Sequence, residues 1–343
     1  MNMKQFRRDI HSSAKANANV SCLGGDAFTF ELVIGGANEV LRLDSTPLKN
    51  KRGYEFGTVG VDKGKIRICI SLPKIIRADN IIPYSMADFV MLEVVNNDID
   101  QTLKHALDGT IDDSVDVLSA KAKSIECNIT KRVVGKSTPS QVLNMLNRSY
   151  YEGTNVVYQR ASAICQYDKE NETVIIKRPN YYVLKAYDKS LQQLKSGKAH
   201  IEAGLLRIEV VMQYRVINKL FNGNSTIRNV LTEQGLLEII KAYKRIFIDD
   251  IIKGHILPCV NDATNILFNT LKETDSQLEA IALHKELIMD EEILRKALER
   301  WYKFKGYERA RRNTDTYVSR CRTKYGFPRN VLDTLRDFKN HCD

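Results

Sequence analysis

The chain has 343 residues, 43% hydrophobic and 27% charged, a composition that supports about two folded domains without disulfide or metal staples. No run approaches the ~18 consecutive apolar residues that a membrane span requires. Fifty-two Lys and Arg against 42 Asp and Glu leave a net charge of +10, which favours polyanionic partners.

Residues 1–9 carry Arg7 and Arg8 with no apolar run behind them, so they do not read as a secretory signal, and a soluble cytoplasmic protein is expected. The seven cysteines (22, 69, 127, 165, 259, 321 and 342) are odd in number and scattered, without a C-x-x-C pair, and read as reduced thiols. Strand patterning covers 28–34, 40–43 and 66–70, with Gly24-Gly25 and Gly35-Gly36 expected as turns. Neither glycine pair belongs to a G-x-x-x-x-G-K-S/T or G-x-G-x-x-G pattern, which excludes a phosphate-cradling P-loop. Helices are expected over 86–95 and 100–107.

A second block opens near Ser114. Residues 124–130 alternate strictly, with Ile125, Cys127 and Ile129 on one face and Glu126, Asn128 and Thr130 on the other. Thr138 followed by Pro139 starts a helix whose buried stripe is Val142, Leu143 and Leu146. Strands are then expected at 162–167, 173–177, 181–187 and 205–212. Strands grouped apart from helices argue for an α+β fold and against a parallel doubly wound sheet. From Val216 the hydrophobic period becomes helical, and Lys253-Gly254 with Pro258 is expected to break the chain before a helical carboxyl-terminal domain.

That last region is strongly basic: from Arg295 to Asp343 fourteen Lys and Arg stand against six Asp and Glu. Helices expected at 291–303, 314–324 and 330–338 resemble a helix-turn-helix, in which Arg309, Arg311, Arg312, Arg320, Arg322 and Lys324 would contact DNA phosphates and groove edges. A solvated basic face adding only nonspecific affinity is the alternative.

Seven of the fifteen tyrosines (150, 151, 158, 167, 181, 182 and 187) fall within 38 residues, interleaved with Arg148, Arg160, Lys177, Arg178, Lys185 and Lys189. Rings among cations suit a surface that stacks unpaired bases and neutralises phosphates, although strands favour tyrosine in any case. The six histidines form no H-x-H or H-E-x-x-H pattern, so a metal site must rest on carboxylates, and oxygen ligands select Mg²⁺ or Mn²⁺ over zinc. Alternation puts Arg207 with Glu209, Tyr187 with Lys189, and Glu126 with Asn128 on shared faces. Neighbouring strands would bring these sets to one cleft, or equally leave Glu209 in a cross-strand ion pair with Arg207 or Lys189.

Several segments together carry a family resemblance: 181–189 with its Ala186-Tyr187-Asp188-Lys189, Gly204-Leu205-Leu206-Arg207-Ile208-Glu209, and Tyr214-Arg215-Val216-Ile217-Asn218-Lys219-Leu220. Ser71-Leu72-Pro73-Lys74 and Asp79-Asn80 precede them. In order and interval, from about Tyr54 to about Phe247 and more weakly over 301–335, the chain resembles the gene II/X family of phage and plasmid replication proteins. These are rolling-circle initiators of the filamentous-phage type.

The resemblance implies an antiparallel-sheet nickase core, with an N-terminal β-rich part at 1–113, a catalytic part at 114–252 and a helix-turn-helix-like basic domain at 253–343. It implies origin-specific nicking of one strand of a supercoiled duplex through a 5′-phosphotyrosine, followed by strand transfer. The family motif makes Tyr187 the nucleophile and Lys189 its neighbouring positive charge. Arg207 either positions the phosphate or orients Glu209. Glu126, where the family has aspartate, and Glu209 would hold Mg²⁺ or Mn²⁺. Tyr167, in a near-duplicate Tyr-Asp-Lys string, is read as a strand-end residue. Implied partners are origin DNA, the nicked single strand and the host's replication helicase and polymerase, in the host cytoplasm and with no membrane. The alternatives are a non-catalytic DNA-binding replication or transcription regulator and an RNA-binding protein using the tyrosine-rich sheet.

Overall fold

The computed structural model describes residues 22–34, 43–77, 80, 82–133, 137–151, 164–168, 170–197 and 203–340. Gly35-Gly36 and Tyr158 lie outside the described residues, as does the start of the strand expected at 40–43. The chain is α+β, and its strands assemble into a ten-stranded antiparallel sheet.

The first four strands are β1 (Cys22–Val33), β2 (Leu43–Lys49), β3 (Glu55–Asp62) and β4 (Lys65–Ser71). In β4, Ile66, Ile68 and Ile70 are buried while Lys65 and Arg67 are exposed, the period-two pattern of a strand with one covered face. The β3–β4 hairpin turns on Lys63 and Gly64, both at positive φ (47° and 71°), as a two-residue type I′ loop demands. The remaining strands are β5 (Tyr84–Ser85), β6 (Lys121–Arg132), β7 (Ile164–Asp168), β8 (Thr173–Arg178), β9 (Tyr182–Asp188) and β10 (Leu205–Met212). Their order is β2-β3-β4-β1-β6-β10-β9-β8-β7, with β5 pairing β1. The alternation read for β6 holds, since Ile125, Cys127 and Ile129 are fully buried.

Gly24-Gly25 is not a turn but part of β1. A Cβ on Gly24 would run into the carbonyl oxygen of Tyr84, so only glycine lets β5 come this close. The two helices expected over 86–107 are instead a 3₁₀ turn (Met86–Met91) running into α2 (Leu92–Leu107), after α1 (Leu72–Arg77). Val95, Ile99, Leu103 and Leu107 recur every fourth residue as its buried stripe, and the polar Asn96-Asn97-Asp98 run falls on the other side.

Further along come α3 (Pro139–Tyr151), α4 (Lys189–Lys195), α5 (Tyr214–Leu220), α6 (Ile227–Val230) and α7 (Glu233–Lys244). The break expected at Gly254 and Pro258 is absent. The backbone passes through a π-helical stretch (Arg245–Ile256) into α8 (Leu257–Thr274), with Pro258 in the first turn of α8. The chain ends with α9 (Gln277–Leu283), α10 (Glu291–Phe304), α11 (Ala310–Tyr325) and α12 (Val331–Asn340).

The chain divides into two compact units, each discontinuous in sequence. The first comprises Met1–Arg132, Ile176–Lys185 and Arg207–Arg245; the second comprises Val133–Ile175, Ala186–Leu206 and Ile246–Asp343. In the first, the buried Tyr243 of α7 donates its hydroxyl to the Ile208 carbonyl at 3.0 Å, pinning helix to strand. In the second, Leu267, Leu271, Leu294, Leu298 and Trp301 centre a helical core. No helix among the described residues is long and apolar enough to cross a membrane.

Candidate functional site

Three carboxylates converge inside the first unit. Asp26 of β1, Glu126 of β6 and Glu209 of β10 each place a ligand oxygen within 4.8 Å of the others. Glu126 and Glu209 are the acids singled out from sequence; Asp26 is not.

A bulge delivers Asp26. Gly25 pairs with Cys127 and Phe28 with Ile125, so Asp26 and Ala27 together stand opposite Glu126 alone. Strict alternation would put Asp26 on the face of Phe28 and Phe30, both of which are core residues. The extra residue reverses the faces, so Phe28 points into the core while Asp26 joins Glu126. A compensating irregularity follows: Thr29 pairs with Ser124 and Phe30 with Ala122, which leaves Lys123 of β6 unopposed.

Asp26 is 1% exposed and gathers donors from four side chains. Arg207 Nη1 and Asn128 Nδ2 approach its Oδ2 at 3.1 and 3.0 Å, and Asn80 Nδ2 approaches the same atom at 3.3 Å. Ser71 Oγ donates to Oδ1 at 3.3 Å. The Arg207 side chain is itself 0% exposed, and its Nε donates to Thr130 Oγ1 at 2.7 Å while Nη2 reaches the Asn80 carbonyl. Its guanidinium holds Asp26 from within the fold. Both Arg207 and Glu209 lie on the cluster side of β10, as alternation requires.

The fifth charge is Lys185 of β9, whose Nζ lies 3.5 Å from Glu126 Oε2 and 3.9 Å from Glu209 Oε2. Three acids and two bases leave one negative charge in excess when all are ionised. Burial, then the hydrogen bond and repulsion from Glu209, push the Glu126 carboxyl up to about 8, so near neutral pH it keeps a proton despite the opposing pull of Lys185. Such a site favours anything that brings positive charge in the proton's place. The set is all oxygen, the donor chemistry that suits Mg²⁺ or Mn²⁺.

The remaining candidates lie in the second unit. Tyr187 is 8% exposed, more enclosed than a nucleophile that meets a DNA strand would be expected to be. Lys189 is not on the strand with it. β9 stops at Asp188, which caps α4 by accepting from the Leu191 N–H at 2.9 Å, so Lys189 begins a helix. Its Nζ still lies 5.7 Å from the Tyr187 ring centroid and donates to Gln192 Oε1 at 2.8 Å. Tyr167 lies on β7, partly exposed. Of the other clustered tyrosines, Tyr182 is buried. Tyr181, in the first unit, has the guanidinium carbons of Arg178 and Arg215 at 4.4 and 5.3 Å from its ring centroid, and Arg215 pulls its hydroxyl below the usual phenol range.

At the carboxyl end the three expected helices are present as α10, α11 and α12. Asp290, 2% exposed, caps two of them: Oδ1 accepts from Glu292 N at 2.8 Å, and Oδ2 from Val331 N and Leu332 N at 2.7 and 3.2 Å. Arg309, Arg311, Arg312, Arg320 and Lys324 are exposed. Arg322 is half-buried, its Nε 2.7 Å from Glu291, which ties α11 to α10. No protein-family model and no curated protein sequence matches the chain.

Proposed function

We propose that this protein is a divalent-metal-dependent DNA nickase and strand transferase that initiates rolling-circle replication, with Asp26, Glu126 and Glu209 as its metal centre and Tyr187 as its nucleophile. The observation that carries this function is the convergence of three carboxylate oxygens within 4.8 Å of one another. The ordered likeness to the gene II/X family supports it.

A bound Mg²⁺ or Mn²⁺ would polarise the scissile phosphate and offset charge developing on its oxygens. Asp26, held by Arg207, would be one of the residues that hold the ion, with Glu126 and Glu209, and Glu126 would have to be deprotonated to serve. The Tyr187 oxygen bonds to phosphorus, the P–O3′ bond breaks, and the departing oxygen takes a proton to become the 3′-OH that primes synthesis. Lys189 sets positive charge against the ring where a phenoxide must form. The 5′-phosphotyrosine keeps the bond energy for later closure of the strand. The exposed arginines of α11 would contribute affinity for the duplex.

The test is incubation with Mn²⁺ and a supercoiled plasmid carrying the origin of the replicon that encodes the chain. A nicked circle with protein on its 5′ end is expected. Tyr187→Phe should abolish the adduct and leave DNA binding intact, while Tyr167→Phe should leave both unchanged; an adduct lost only in Tyr167→Phe would overturn the assignment. The burial of Tyr187 favours a second reading, a non-catalytic DNA-binding regulator, for which the same incubation gives bound but uncut plasmid.

A further inference from the structure

In the second unit α8 and α10 pack side by side through Leu267, Leu271, Leu294, Ala297 and Leu298. Polar side chains line the other side of this pair, in a groove of about 530 Å³ bordered by Asn261, Asn265, Lys296, Arg300 and Lys303 with Glu299. Beside it stands Phe304, 59% exposed at the last turn of α10, edge-on to Phe268 with centroids 6.5 Å apart.

Two cations are held against these rings. The Arg300 guanidinium carbon lies 4.3 Å from the Phe268 centroid, with Nη1 donating to Asn265 Oδ1 at 2.7 Å. Lys272 Nζ lies 4.9 Å from the Phe304 centroid and 5.7 Å from that of Phe268. Lys296 and Lys303 have carboxylate partners one turn away, Glu292 and Glu299. Among the described residues neither Arg300 nor Lys272 is paired with a carboxylate, so the positive charge beside the exposed ring stays uncompensated.

We propose that this α8–α10 face binds single-stranded DNA. An unpaired base would stack on Phe304, Lys272 and Arg300 would meet the flanking phosphates, and the Asn261 and Asn265 amides would line the path of the next base. Paired bases bury their faces in the duplex, so an exposed ring selects the unpaired strand. The site is separate from the α11 arginines and does not depend on the nickase activity, because a DNA-binding regulator could use it equally.

The test is fluorescence anisotropy of fluorescein-labelled (dT)₁₂ with the full chain in EDTA, where cleavage cannot contribute. Phe304→Ala is expected to weaken binding at least fivefold and Phe304→Trp to preserve it, which a loss of folding would not do. Arg300→Gln and Lys272→Gln should each flatten the plot of log affinity against log salt by about 0.7. Strands carrying 5-iododeoxyuridine should photocrosslink to Phe304. Unchanged affinity in Phe304→Ala, crosslinks confined to other residues, or a hairpin duplex of equal phosphate number competing as well as the strand would each overturn the proposal. None of these outcomes bears on whether Tyr187 forms an adduct.

Discussion

Glu126→Gln tests whether the acidic cluster trades a proton for a metal ion. The carboxyl has an ordinary value of 4.5 and rises to about 8 in the fold. A folded-state value raised above the unfolded one stabilises fully below about 4.5, and that contribution disappears as pH climbs through about 8. At ~1.4 kcal/mol per pH unit the metal-free protein should lose at most ~5 kcal/mol across that window, and in practice a few, since Lys185 is partly solvated and screens the cluster. The amide introduced by Glu126→Gln cannot ionise and has no such slope. Urea unfolding of both proteins at pH 5, 6, 7 and 8 in EDTA should therefore show the wild type weakening toward pH 8 while the variant, relative to it, gains. Mn²⁺ affinity of the wild type should rise about tenfold per pH unit below pH 8, one proton leaving for each ion bound. Parallel stability curves, or metal affinity independent of pH, would refute the coupling of Glu126 to Glu209.

Other perturbations follow from the same contacts. Asp26→Ala strands a buried guanidinium and should cost about 3–5 kcal/mol in chemical denaturation, whereas Asp26→Leu combined with Arg207→Met should recover most of it; a loss below ~1 kcal/mol in the single variant would mean that Arg207 is satisfied elsewhere. Asp26→Asn keeps an acceptor for Arg207 and should fold, with Mn²⁺ binding weakened in calorimetry. Asp290→Ala removes the cap of two helices and should lower stability by about 2–3 kcal/mol, with Asp290→Asn much milder; equal effects of the two would argue against capping. Gly24→Ala forces a methyl into the Tyr84 carbonyl and should destabilise by about 3 kcal/mol while weakening metal binding, read out by thermal melting with and without Mn²⁺.

Much of the framework is legible because it is periodic. The alternation of Ile125, Cys127 and Ile129 reports one covered face and so puts Glu126 and Asn128 on the other, which is where they are found. The stripe of α3, Val142, Leu143 and Leu146, is buried as its spacing demands. Asp26 escapes this logic because periodic reading assumes a regular ladder, and the residue that brings it to Glu126 is the one that breaks the count. A pair of glycines ahead of an aspartate at a strand's start is the available signal, and it reads more readily as a turn. Lys189 falls on a strand only if Asp188 is counted as one more alternating position, but a short acid before Lys-Ser-Leu is also a helix cap. The partnership of Arg207 with Asp26 joins residues 181 positions apart, beyond the reach of any local pattern.

The two opposed irregularities between β1 and β6 cancel within five residues, so the hydrogen-bond ladder on either side is indifferent to what stands between them. Chemistry is thus inserted as a local patch in an otherwise ordinary piece of architecture. A descendant of this chain could exchange or discard its acids without rethreading a single strand, and the strand order alone would then say nothing about which of them remain.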